Sequence, residues 1–154
     1  KQKTAYEISN VEATIAGQTV EPDITRSGKY LEVMIDTSQA GDQPVTISYE
    51  ASGATRIERG ETEDLTLFTW RVLQGLNVEA ADVSGTLRVG SVPLLIDCVA
   101  GPPGAVQKCD LFSAGTNEDP MPYFRSKRRG AGEQVTLTVG VTAGSVQATE
   151  SAAT

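Results

Sequence analysis

The chain has 154 residues, of which 39% are hydrophobic and 21% charged, and it carries a net charge of −7 with no histidine. Its length suits one folded domain, and its acidic balance argues against a nucleic-acid partner, because phosphate binding needs an excess of Lys and Arg. No apolar run approaches the roughly 20 residues of a membrane span, so we expect a soluble chain that is either cytosolic or exported by a targeting segment outside it.

The first third of the chain shows the period-two alternation of half-buried strands. "AYEISNVEATI" alternates but slips by one position between Ile8 and Val11, which indicates a bulge or a strand covered on both faces. "YLEVMID" and "PVTISYEA" alternate without a slip, and their apolar residues are Leu31, Val33 and Ile35, and Val45, Ile47, Tyr49 and Ala51. Glycine-containing turns such as "AGQ" and "AGDQP" separate these runs, as expected for strands that follow one another closely.

"DLTLFTWRV" changes phase, because Leu65 and Leu67 point one way while Phe68, Trp70 and Val72 point the other. This pattern indicates a bulge or a strand covered on both faces. A single Trp in an alternating strand is usually a core anchor, which is the role that we expect for Trp70. The alternative is an exposed platform for stacking sugars, as in a carbohydrate-binding module, although only 5% of the residues are aromatic.

Next comes "DVSGTLRV", in which Val83, Leu87 and Val89 alternate with a glycine in register between them, so this segment is also strand-like.

Both cysteines of the chain follow. Cys98 and Cys109 lie eleven positions apart around a Pro-Pro-Gly turn. A structural zinc site needs four Cys or His ligands, and a thioredoxin-like centre needs Cys-x-x-Cys at a helix start, so neither fits. We therefore expect a disulfide, against two buried free thiols as the alternative, and hence an exported protein.

Charged clusters follow the second cysteine. "NEDP" at 117–120 lacks the Asp-x-Asp-x-Asp-Gly pattern of a calcium loop and is interpreted as a solvated turn. "YFRSKRRG" packs four of the thirteen basic residues into five positions: Arg125, Lys127, Arg128 and Arg129. This cluster could bind an anion such as teichoic acid or another envelope polymer, a lipid head group, or the acidic face of a protein partner. The plainer alternative is that it pairs with the chain's own carboxylates, for instance in the turn at 61–64, or is simply solvated.

The last strand pattern, "EQVTLTVGVT", places Val135, Leu137, Val139 and Val141 on one face. Beyond it, residues 143–154 are small, polar and aperiodic, which is typical of a flexible linker or tail. No segment has the pattern of an amphipathic helix. The sequence therefore predicts an all-β fold, a mostly antiparallel β-sandwich of immunoglobulin-like architecture, as one domain over residues 4–142.

Five motifs in order resemble the second half of the ectodomain of a family of predicted bacterial membrane proteins, domain of unknown function 2207. They fall within residues 45–141 and read "SYEASGAT", "LTLFTWRVLQG", "VSGTLRVGSVP", "DCVAGPPGAVQKCD" and "GEQVTLTVGV". The resemblance implies an extracytoplasmic β domain of an envelope protein, tethered to the bacterial cell membrane. It implies no activity, because none is assigned to that family.

The absence of histidine excludes Ser-His-Asp and Cys-His sites and a His general base. A Ser-Lys dyad or a carboxylate pair stays formally open, with candidates Glu63, Asp64, Asp97 and Asp110, but nothing in their spacing selects a pair. We expect no catalytic site, no metal and no cofactor. The expected function is that of a non-catalytic, structural or interaction domain of a membrane-anchored envelope protein. The alternative is a binding module for anionic envelope polymers or carbohydrate.

Overall fold

A computed structural model describes residues 7–27, 30–38, 41–59, 63–74, 76, 78–89 and 92–143. All regular structure in these residues is β-strand, and every strand pairing is antiparallel. The strands fall into two compact units, an N-terminal unit within residues 1–53 and a C-terminal unit within residues 54–148. The predicted all-β, antiparallel fold is confirmed, whereas the single domain over 4–142 stays a prediction.

The N-terminal unit contains five strands: β1 (Glu7–Ile15), β2 (Gln18–Val20), β3 (Asp23–Ser27), β4 (Tyr30–Met34) and β5 (Val45–Ser52). They form a three-stranded sheet in the order β2-β1-β5 and a separate β3-β4 hairpin. The tight β1–β2 turn uses Ala16 and Gly17, both with positive φ. Two consecutive residues with positive φ give the turn the twist that matches antiparallel strands.

Of the two explanations predicted for the slip between Ile8 and Val11, the structure shows the bulge in β1. The register with β5 shifts between Ser9 and Glu12, because β1 inserts one extra residue there. Asn10 occupies this bulge with a φ of 52°, a conformation that Asn tolerates better than most residues. Its Nδ2 donates a hydrogen bond to Glu50 Oε2 at 3.0 Å.

The alternation in β5 predicted the strand correctly, but its apolar face is open to solvent. Val45, Ile47 and Tyr49 are 38%, 47% and 45% exposed, respectively. Ala13 of β1, which pairs with Ile47, is buried. Alternation shows that one face of a strand is apolar, and what covers that face depends on residues distant in the chain.

The C-terminal unit contains seven strands: β6 (Thr55–Glu58), β7 (Leu65–Leu73), β8 (Ala80–Thr86), β9 (Leu95–Gly101), β10 (Leu111–Ser113), β11 (Tyr123–Arg129) and β12 (Gln134–Thr142). Four of them form one sheet in the order β6-β7-β12-β9, and three form a second sheet in the order β10-β11-β8. Side chains of both sheets share one buried cluster, so the unit is built as two packed layers. The more specific immunoglobulin-like architecture stays a prediction.

The core of this unit is centred on β12. Its alternation places four side chains in the buried cluster, as predicted: Val135, Leu137, Val139 and Val141. On the neighbouring strand β9, Cys98 lies opposite Leu137 and Ala100 lies opposite Val135. Phe124 of β11 completes the cluster from the second sheet. Burial of this apolar surface is the main term that stabilises the unit.

The glycine that interrupts the β8 pattern makes room for Phe124. Gly85 pairs directly with Phe124, and a Cβ at Gly85 would lie 2.8 Å from the Cε1 atom of that ring. The aromatic ring therefore occupies the space that a side chain at this position would need.

Of the two alternative causes predicted for the phase change between Leu67 and Phe68, the structure shows a strand covered on both faces at this point, while a bulge lies further along β7. The register with β12 shifts between Val135 and Thr136, which leaves Val72 as an extra residue on β7. Leu67 lies on the face opposite Phe68 and is nevertheless only 2% exposed, so the strand is covered on both sides at this point.

Among the described residues, no helix has the length and hydropathy of a membrane span. The predicted linker falls at residues 143–154, and all of it beyond Ala143 lies outside the described residues.

Candidate functional site

The predicted disulfide is present and lies in the core of the C-terminal unit. Cys98 of β9 and Cys109 are bonded, with their Cα atoms 5.4 Å apart. The backbone supports this pairing, because Cys109 N donates a hydrogen bond to Cys98 O at 2.9 Å and Val99 forms a β-bridge with Lys108. Cys98 is fully buried and Cys109 is 7% exposed. The disulfide therefore links the β9 edge of the four-stranded sheet to the start of the segment that leads into β10.

A surface ion pair lies beside the disulfide. Lys108 Nζ contacts Asp97 Oδ1 at 2.6 Å, and both side chains are partly exposed. Asp97 was a candidate carboxylate for catalysis, and in the structure it pairs with this lysine. An exposed pair of this kind contributes about 0–1 kcal/mol to folding.

The basic cluster predicted at 125–129 lies on β11, at the surface of the three-stranded sheet. Arg125 binds the carboxylate of Asp82 on the neighbouring strand β8, with Nε 3.1 Å from Oδ1 and Nη2 2.8 Å from Oδ2. The hydrogen bonds to Asp82 raise the pKa of the Arg125 guanidinium above its usual value, and the charge of that carboxylate adds to the effect. The two contacts between Arg125 and Asp82 form the two-pronged geometry that arginine and carboxylate groups favour.

The other two arginines of the cluster also meet carboxylates. Arg128 Nε lies 3.1 Å from Glu79 Oε1, and Arg129 Nη1 lies 3.2 Å from Glu133 Oε2 across the β11–β12 turn. The Arg129–Glu133 pair is the most protected of these, with side-chain exposures of 19% and 28%. Three of the four basic side chains are thus in ion pairs within the C-terminal unit.

Lys127 differs from its neighbours, since its ammonium group makes no ion pair within the described part of the chain. Its backbone N instead donates a hydrogen bond to Asp110 Oδ2 at 2.6 Å. The turn at 61–64, named from the sequence as an example of an internal partner, supplies none of these contacts in its described residues Glu63 and Asp64. An anion-binding role for the cluster stays a prediction.

Trp70 lies in β7 opposite Leu137, so its side chain is on the same face of the sheet as this fully buried residue. It is half-buried, and it stacks on Phe68 with ring centroids 6.3 Å apart and planes inclined by 13°. This is the offset-stacked arrangement that aromatic pairs favour. The role of Trp70 as a core anchor stays a prediction. Its half-burial implies a smaller contribution to the free energy of unfolding than full burial would give.

A cavity of about 250 Å³, which the sequence did not predict, lies at one end of the four-stranded sheet. Its walls come from β6, β7, β12 and the segment 87–89 that follows β8. Its lining is mostly apolar, with Arg88 and two threonines as the polar exceptions. Because four separate segments form it, no local pattern in the sequence could have revealed it.

The remaining carboxylate candidates do not converge. Asp110 accepts the hydrogen bond from Lys127, while Glu63 and Asp64 are exposed in the segment before β7. Within the described residues, no three Cys, Asp or Glu side chains come together in the manner of a metal site.

Comparisons of the chain with protein-family models, with curated proteins and with solved structures find no match. The resemblance to the ectodomain of domain of unknown function 2207 therefore stays a prediction that rests on the five sequence motifs.

Proposed function

We propose that this chain is a non-catalytic, extracytoplasmic domain of a membrane-anchored bacterial envelope protein, with a structural or interaction role. The observation that carries the proposal is the disulfide between Cys98 and Cys109. Structural disulfides form and persist in oxidising compartments and are rare in the reducing cytosol of most organisms. A buried disulfide within the core is consistent with a protein that folds after export.

The ion pairs of β11 support a structural role over anion binding. Arg125, Arg128 and Arg129 are each held by a carboxylate of the same unit, so an external anion would have to compete with Asp82, Glu79 and Glu133. The net charge of −7 adds a long-range repulsion against anionic polymers. We therefore place any partner of this domain among proteins rather than among anionic polymers.

The proposed location is tested in intact cells that make the full-length protein. Protease added outside the membrane should digest this chain while a cytosolic marker protein stays intact. Digestion that occurs only after lysis would place the chain inside the cell and would contradict the proposal.

A further inference from the structure

We propose that the cavity of the C-terminal unit binds a small monocarboxylate with an apolar body, a ligand that the proposed structural role does not require. The cavity is walled by apolar side chains with a cationic group among them. This combination is typical of sites for small amphiphilic anions, in which apolar walls hold the body and a few polar groups fix the orientation.

The floor of the cavity follows from the strand register. Thr55, Phe68 and Val139 lie opposite one another on β6, β7 and β12, so their side chains form one row across the same face of the sheet. Thr66 and Val141 are likewise paired and form the next row. Side chains of opposed residues lie close together, so the two rows make a continuous floor.

The opposite wall is the segment 87–89, which brings a charge to an otherwise apolar space. Leu87 and Val89 are half-buried and pack against the core cluster, whereas Arg88 between them is exposed and lines the cavity. Within the described residues, Arg88 makes no ion pair, in contrast to the three arginines of β11. Its guanidinium is therefore available to a carboxylate at the mouth of the cavity.

Thr55 provides a second polar group. Its Oγ1 atom is buried and has no hydrogen-bond partner. A buried polar atom without a partner costs free energy, and a ligand oxygen in the adjoining cavity would remove that cost. Because this atom is buried, the hydroxyl reaches a ligand only if Thr55, which lines the cavity, changes its χ1 rotamer.

The volume limits the size of the ligand. An apolar cavity of about 150 Å³ holds a benzene ring, and pockets for drug-sized ligands start at about 300 Å³. A cavity of about 250 Å³ lies between these values. It therefore suits a body larger than one aromatic ring and smaller than a drug molecule, such as an eight-carbon chain.

The test uses octanoate and the neutral analogue 1-octanol, titrated into the whole chain and followed by methyl NMR. We expect octanoate to shift the resonances of Leu87, Val139 and Val141 saturably, with a dissociation constant on the order of 1 mM. The exposed apolar residues Val45 and Ile47 of β5 should shift only weakly and without saturation. No saturable shift at the cavity, or equal shifts at both places, would overturn the proposal.

Arg88→Gln separates charge recognition from simple hydrophobic uptake. We expect this variant to bind octanoate about three- to tenfold more weakly while 1-octanol binding stays the same. Arg71→Gln is the matched control, because Arg71 is an exposed arginine of β7 on the opposite face of the sheet, and it should leave both affinities unchanged. If Arg88→Gln leaves the octanoate affinity unchanged, the assigned carboxylate chemistry is wrong.

Discussion

Arg125 and Asp82 form a two-pronged ion pair across β11 and β8, although they are 43 residues apart in the chain. Lys127 is the direct cross-strand partner of Asp82, and Arg125 reaches the same carboxylate diagonally. Asp82 thus offsets the charge of Arg125, as Glu79 and Glu133 do for Arg128 and Arg129, and these pairs limit repulsion within the basic cluster.

The Arg125–Asp82 pair predicts a specific pattern in a double-mutant cycle. Arg125→Glu alone should lower the melting temperature by a few degrees at most, because the pair is partly exposed and the variant places two carboxylates together. Asp82→Arg alone should also be destabilising, and Arg125→Glu combined with Asp82→Arg should recover part of the summed loss. Thermal unfolding followed by circular dichroism measures all three variants, and additive losses in the double variant would show that the two residues do not interact.

The basic cluster as a whole should not bind anionic surfaces. Vesicles that contain anionic lipid should fail to sediment the chain at physiological salt, where the Debye length is about 8 Å. Reversal of Arg125, Lys127, Arg128 and Arg129 to glutamate should instead lower thermal stability, because three internal ion pairs are lost. Vesicle binding by the unaltered chain that the reversal abolishes would support the anion-binding alternative instead.

Gly85 should resist substitution because the ring of Phe124 lies over it. Gly85→Ala places a Cβ within 2.8 Å of Phe124 Cε1, so a buried core ring must move. We expect a loss of about 1–3 kcal/mol in the free energy of unfolding, measured by urea denaturation. Ser84→Ala, at the exposed neighbouring position, is the control and should change stability by less than about 0.5 kcal/mol.

Trp70 should fluoresce as a half-buried residue that is stacked on Phe68. Its emission is expected at intermediate wavelength with partial quenching by acrylamide, and Trp70→Ala should cost about 2 kcal/mol, less than the 3–5 kcal/mol of a fully buried Trp. Quenching as complete as that of free tryptophan, with no loss of stability in the variant, would favour the exposed sugar platform.

The sequence predicted those features that depend on neighbours in the chain. Alternation in β12 identified the four core residues of that strand, and the slip between Ile8 and Val11 indicated an irregularity that the structure shows to be a bulge. The disulfide was predictable by elimination, because the chain has two cysteines and no histidine. Each of these inferences uses spacing within one short segment, where period and residue type are sufficient.

The features that the sequence did not predict depend on register between distant strands. Asp82 and Glu79 pair with the basic cluster because β8 lies beside β11, which no local pattern shows. The cavity requires β6, β7 and β12 to align Thr55, Phe68 and Val139 in one row. The exposed apolar face of β5 was not predictable either, since alternation does not show what covers a face.

The disulfide should also contribute measurably to stability. In the chain-entropy model, closing a loop of this length stabilises the folded state by about 3 kcal/mol. Reduction, or replacement of Cys98 and Cys109 by alanine, should therefore lower the free energy of unfolding by roughly that amount. A loss below about 0.5 kcal/mol would show that the disulfide does not constrain the unfolded chain in the way that the model requires.

The most direct test of the proposed extracytoplasmic function is the redox state of the two cysteines in the protein as its own cells make it. Cells are treated with acid and a thiol-alkylating reagent before lysis, and the isolated chain is analysed by mass spectrometry without reduction. We expect a peptide pair joined through Cys98 and Cys109, with neither sulfur alkylated. Two alkylated cysteines would show that the chain resides in a reducing compartment and would contradict the proposed extracytoplasmic function.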